Sequence, residues 1–126
     1  AEEIRYIRSN EKDLLKELYR EAFREFDSND VMLSWVNNCR RTGLFHYNEL
    51  IAGVSFFKFQ IDKQTIIQVL LLGVWQEQKH KGYGSKLMRN TMESCKSIVL
   101  WSDHTSKQFY EKLGFIESTK IQELTK

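Results

Sequence analysis

The chain has 126 residues, of which 41% are hydrophobic and 29% charged, and its net charge is +2. That length holds one compact domain and no second, and eight Phe, five Tyr and three Trp give it too much apolar bulk for a disordered chain. The near-neutral charge argues against a dedicated nucleic-acid binder, and no apolar run approaches the roughly 20 residues that span a bilayer, Val69 to Leu72 being cut short by Gly73. No basic-then-apolar leader opens the sequence. Cys39 and Cys95 form neither a metal-binding spacing nor a disulfide framework. A reduced intracellular compartment, cytoplasm or nucleus, is therefore expected, with no metal and no membrane partner.

Ile4 to Ile7 reads as a short strand. Asn10, with Asp13 three residues on, can cap a helix bearing Leu14, Leu15, Leu18, Ala22 and Phe26 at helical spacing. The run from Asp27 to Asp30 breaks it and offers caps for a second helix with Val31, Met32, Trp35, Val36 and Cys39, which Gly43 is placed to end. A strand from Leu44 to Tyr47 turns through Asn48-Glu49 into a longer one, Leu50 to about Gln60. Asp62-Lys63 then turns it into a strand from about Thr65 to Val74. After Val74 come a Gly-x-Gly, a helix bearing Leu87, Met88, Thr91 and Met92, a strand Ser97 to Trp101, a helix near Ser106 to Leu113, and a strand from Phe115. The order β-α-α-β-β-β-α-β-α-β implies an α+β fold whose mixed, mostly antiparallel sheet is flanked by helices.

The segment from Lys79 to Ser85 follows a strand and opens a helix. Gly82 and Gly84 let backbone N–H groups converge on an anion, and the helix N-terminus adds about half a positive charge. Lys79, Lys81, Lys86 and Arg89 add basic charge with no acid between them, which suits a pyrophosphate. Taken alone, the segment reads equally as a solvated basic turn. It lacks the ending of a P-loop and the setting of a dinucleotide fingerprint.

Leu72-Gly73-Val74 followed by Lys79-His80-Lys81-Gly82-Tyr83-Gly84 resembles the acetyl-CoA motif of the GNAT superfamily of N-acetyltransferases, Leu-x-Val and then Arg/Gln-x-x-Gly-x-Gly/Ala. Phe109 to Phe115 resembles that family's second signature, Tyr-x-Lys-x-Gly-Phe, and Gly53 fits the preceding strand. The likeness runs from about Leu44 to Phe115. Lys79 stands where Arg or Gln is usual, and His80 where Gly is common.

The resemblance implies a single GNAT domain that moves an acetyl group from acetyl-CoA to a primary amine by direct transfer. Leu72, Gly73 and Val74 would pair with the pantetheine, and Lys79, His80, Lys81, Gly82, Tyr83, Gly84 and Ser85 would hold the pyrophosphate. Ser106 and Tyr110 would approach the thioester. A chain ending soon after Phe115 leaves a usual last strand to a partner copy or a larger parent protein.

The chemistry needs a proton for the departing thiolate and a neutral amine. A lysine amine of pKa about 10.4 is only about one part in 10³ neutral at pH 7. Tyr110, a phenol of pKa near 10, is the candidate acid; the alternative is a core aromatic. Within the superfamily the histone lysine acetyltransferases look closest, with Lys-Gly-Tyr-Gly and a strand comparable to Ile51 through Phe57. Their glutamate base lies fourteen residues before the first loop glycine, which here is Gln68. An amide is no base, so Gln68 holds a water, pairs in the sheet, or marks an inactive acyl-CoA-binding or interaction module. That likeness favours a protein lysine over a small amine as acceptor. Glu77, Asp103, His104 and His46 are weaker base candidates, read as loop or strand residues. Phe56, Phe57 and Phe59 read as sheet packing, while Trp75 and Trp101 either border the acceptor groove or close the core.

Overall fold

A computed structural model of the chain describes residues 1–23, 36–93, 97–100 and 107–114. Strand β1 (Glu2–Tyr6) leads through a 3-10 turn, Ser9–Glu11, into helix α1 (Lys12–Ala22). After helical residues 36–38 come β2 (Arg40–His46), β3 (Glu49–Ile61) and β4 (Gln64–Val74). A 3-10 turn, Gln76–Gln78, precedes helix α2 (Tyr83–Glu93), strand β5 (Ser97–Leu100) and helix α3 (Lys107–Lys112). The sheet order is β1-β2-β3-β4-β5. The first four strands are antiparallel, and β5 joins β4 in parallel. The chain is α+β, as its element order predicts.

Both hairpins turn on residue pairs in the left-handed region, Tyr47-Asn48 (φ 50° and 68°) and Asp62-Lys63 (φ 50° and 66°). Such pairs match the twist of the strands they join. Helix α1 buries Leu15, Leu18 and Tyr19, which lie on one helical face. Its N-cap is Glu11 rather than Asn10, and the Glu11 side chain fastens the preceding 3-10 turn instead of the first turn of the helix. The Glu11 carboxylate accepts the Arg8 N–H at 3.0 Å and both Arg5 guanidinium N–H groups at 2.9 Å. The Arg5 hydrogen bond is the main cause that lowers the Glu11 pKa to about 2. The same guanidinium lies 3.8 Å over the Phe45 ring.

Gly43 does not end a helix. It lies inside β2, opposite Gly53, which in turn pairs with Gly73 of β4. These three glycines form a row across the sheet, and α1 presses into it. Leu15 occupies the space a side chain on Gly53 would need, and a Cβ on Gly73 would stand 2.8 Å from Leu18 Cδ2. On this face Ile7, Leu15, Leu18, Tyr19, Val36, Phe45 and Leu50 close one apolar cluster. The other joins Leu44, Val54, Phe56, Ile67 and Val69 to Leu87 and Met88 of α2, with Phe109 and Tyr110 of α3 packed against it. Buried Arg41 donates to the carbonyls of Val36 (2.8 Å) and Ile7 (3.3 Å) and to Tyr6 Oη (2.7 Å), tying residues 36–39 to β1.

Two sequence expectations change here. Phe56 is core, but Phe57 and Phe59 are 37% and 40% exposed. Trp75 closes the core: it packs on the α1 cluster, and its indole N–H donates to the Leu50 carbonyl at 2.7 Å. Of the expected second helix, Val36 is helical, Cys39 lies past the helical residues, and Val31, Met32 and Trp35 lie outside the described residues, as do the strand from Phe115, Cys95, Trp101, Asp103 and His104.

Candidate active site

Strand β4 carries one extra residue. Leu71 pairs with Ser55 and Val69 with Phe56, so Leu70 forms a bulge. Ile67 and Val69 before it and Leu72 and Val74 after it therefore all face the α2 cluster. Among the described residues the parallel ladder to β5 reaches the pair Val69↔Leu100, and β4 is paired to β3 as far as Val74.

Main-chain directions follow from one bond. Trp75 N–H donates to the Ile51 carbonyl at 3.3 Å. Antiparallel alternation then joins Gly73 and Leu71 to β3 and turns the N–H and C=O groups of Leu72 and Val74 toward the β5 side. Among the described residues nothing in β5 pairs with them. This stretch of edge can accept an extended chain that carries amides of its own.

The edge runs into the glycine loop. Lys86 N–H donates to the Gly82 carbonyl at 3.0 Å, opening α2. The N–H groups of Tyr83, Gly84 and Ser85 thus have no acceptor within the helix and present a partial positive charge. Gly82 takes φ +85°, with no atom within 4 Å of where a Cβ would sit, so it serves backbone conformation. Gly84 serves close approach: a methyl there would touch Val74 Cγ2 at 3.4 Å and Phe109 Cζ at 3.5 Å. Tyr83 packs edge-on to His46, ring centroids 5.3 Å apart, and anchors the loop to the end of β2.

The basic run is divided. Lys79, Lys81 and Arg89 are exposed, with Lys81 Nζ bonded to Gln78 Oε1 at 3.2 Å. Lys86 is instead ion-paired with Glu2 of β1, whose carboxylate also meets His46 Nε2 at 3.3 Å. Lys86 foremost, and His46 with it, hold the Glu2 carboxyl below its usual range. His80 adopts φ 65°, the left-handed region that glycine enters freely.

Tyr110 lies half-buried on α3, packed on the α2 cluster and against Phe109, whose ring centroid is 5.0 Å away. Gln68 stands between Phe57 of β3 and Val99 of β5, two residues before the bulge. Glu77 is exposed in the 3-10 turn and His46 ends β2. Ser106 lies outside the described residues. Leu72, Val74 and the Gly82–Ser85 turn thus gather at one end of β4, with Phe109 beside Gly84.

Three features of the site carry no local sequence signal. One is the Leu70 bulge. The others are Tyr19 and Ser55, whose hydroxyls meet at 2.8 Å although they are distant in sequence. Foremost by burial, the Tyr19 phenol is pushed far above the usual range, against the Ser55 hydrogen bond, with Cys39 and Tyr110 adding electrostatically.

Residues 40–117 match the family model of the acetyltransferase (GNAT) domain. Solved structures agree in fold. A possible acetyltransferase from Clostridium difficile 630 superposes with a TM-score of 0.79 at 16% identity, covering 93% of this chain and 91% of that one. A Trypanosoma brucei acetyltransferase gives 0.72 at 18% identity, with 94% of each chain covered. An aminoglycoside N-acetyltransferase in complex with CoA gives 0.72 at 12% identity, covering 94% of this chain and 90% of that one. No curated protein matches the sequence. Among the described residues, no helix is long and apolar enough to cross a membrane.

Proposed function

The chain belongs to the GNAT acetyltransferase family, and from that premise we propose that it transfers an acetyl group from acetyl-CoA directly to a primary amine. The observation that carries this reading is the stretch of β4 at Leu72 and Val74, whose main-chain groups turn away from β3 and have no partner among the described residues, leading into the turn of α2. The residues present fit the cosubstrate. Leu72 and Val74 offer main-chain N–H and C=O groups to the amides of a pantetheine arm. The N–H groups of Tyr83, Gly84 and Ser85, with Lys79 and Lys81 beside them, suit a pyrophosphate. Acetyl-CoA supplies the activated acetyl group as its thioester.

Tyr110 Oη holds the proton that a departing thiolate takes up. A phenol near pKa 10 can supply it to a thiol near 8.5. The acceptor is an amine on a small molecule or a lysine side chain, and a lysine amine reaches the site mostly protonated. An ordered water held by the Gln68 amide is the proposed route for that proton.

A second reading rests on Gln68 itself. An amide cannot take a proton at neutral pH, and a domain that binds acyl-CoA without turnover would keep everything else. Titration calorimetry with acetyl-CoA, followed by thiol-release assays over lysine peptides, polyamines and aminoglycosides, separates the two. Turnover on any amine supports transfer. Tight binding without turnover on the whole panel leaves the binding module, and failure to bind any CoA ester refutes both.

A further inference from the structure

We propose that Tyr19 and Ser55 are positioning residues whose paired hydroxyls hold the bulge of β4, keeping the main-chain groups of Leu72 and Val74 turned away from β3. The inference rests on the acyl-CoA reading of that edge.

The geometry singles out these two side chains. Tyr19 Oη lies 2.8 Å from Ser55 Oγ and 3.4 Å from the Leu71 carbonyl oxygen. Ser55 and Leu71 are partners, the last regular pair before Leu70 is inserted. One phenol from α1 therefore touches both strands at the point where the register shifts. Cys39 lies beside it: burial foremost pushes its thiol up, against an opposing pull from the Ser55 side chain. Polar groups from α1, from the turn before β2 and from β3 thus converge on one irregularity.

Stability alone gives little reason for such a cluster. Tyr19 and Ser55 are both 0% exposed, where a hydroxyl without a partner is costly. Replacing both with apolar groups of similar shape is close to neutral, so an apolar pair would fill the space equally well. What hydroxyls add is direction. A phenol bridging a serine and a main-chain carbonyl favours one local register over a neighbouring slip. The register matters because a one-residue slip would turn Leu72 and Val74 toward β3 and present Leu71 and Gly73 to the edge. Burial keeps the Tyr19 phenol protonated, so it acts here through neutral hydrogen bonds.

The test compares Tyr19→Phe, Ser55→Ala and the double variant with the wild type. The two probes are CoA and 3′-phosphoadenosine 5′-diphosphate, which keeps the pyrophosphate and lacks the pantetheine. Urea midpoints report folding, and calorimetry reports affinity. In the double variant no hydroxyl is left without its partner, so its midpoint should return toward the wild type. Its affinity for CoA should nonetheless fall about tenfold, the worth of one hydrogen bond, while that for the truncated probe holds. Hydrogen exchange at Leu71 and Gly73, whose N–H groups face β3, should quicken in the same variant.

Unchanged CoA affinity in a well-folded double variant would overturn the proposal. So would an equal loss for both probes, the mark of a general structural defect. A wild type that binds neither probe refutes the acyl-CoA reading, and this inference with it.

Discussion

A Cβ on Gly73 would stand 3.0 Å from Tyr19 Cδ1, so the tyrosine ring rests on bare β4 backbone. The ring is stiff, and Leu18 crowds the same point at 2.8 Å, so neither neighbour can yield cheaply. Gly73→Ala should destabilise the fold by about 1–3 kcal/mol, through overpacking. Urea denaturation measures this. A variant as stable as the wild type would show that α1 is not seated against the glycine row.

At Gly82 two effects separate. Its φ of +85° strains any side chain, though asparagine and aspartate tolerate the left-handed region best. Gly82→Asn tests shape, and Gly82→Asp adds a negative charge facing the proposed pyrophosphate. CoA affinity should fall at least about tenfold further in the aspartate variant than in the asparagine one. Equal affinities by calorimetry would remove the loop from the binding site.

Tyr110→Phe keeps the packing on Phe109 and removes only the hydroxyl. Under the proposed mechanism kcat drops by roughly 10²-fold or more, with CoA affinity almost unchanged. Single-turnover kinetics check it, and an undiminished rate would strip Tyr110 of the acid role.

The Arg5–Glu11 pair makes a pH-dependent contribution. Glu11 is lowered from 4.5 to about 2 in the fold, so its stabilisation is complete above 4.5 and drains away as pH falls toward 2. Glu11→Gln should therefore lower the urea midpoint near pH 7 and match the wild type near pH 2. A gap that persists undiminished in acid would mean the pair contributes through packing rather than charge.

Much of the fold is legible in the sequence because its signals are local. Asp62-Lys63 announces a tight turn, and the periodic Leu15, Leu18 and Ala22 announce α1. The loop from Lys79 to Ser85 is readable because an anion site at a helix start needs glycines and cations close together. Gly43 misleads for a physical reason. A glycine that ends a helix and one that makes room for neighbouring side chains look alike until Leu50 Cδ1 is found 2.6 Å from its missing Cβ. The bulge is hidden because Ile66 to Leu72 is almost wholly apolar, leaving no alternation for an extra residue to interrupt. Tyr19 and Ser55 are hidden for another reason: only the folded sheet brings their hydroxyls together. Phe57 and Phe59 looked like core because aromatic residues in a strand usually are. Which strand positions the helices cover is a tertiary matter.

The ion pair between Glu2 and Lys86 has a kinetic consequence. It joins the first strand to the helix after the fourth, closing a loop over most of the chain, and the entropy of such closure is met late. The hairpins of β2, β3 and β4 have short-range partners and can assemble first. Helix α2 then fastens onto a sheet already built, and Lys86 acts as its latch. Severing an exposed pair formed after the folding barrier speeds unfolding slightly and leaves the refolding rate as it was.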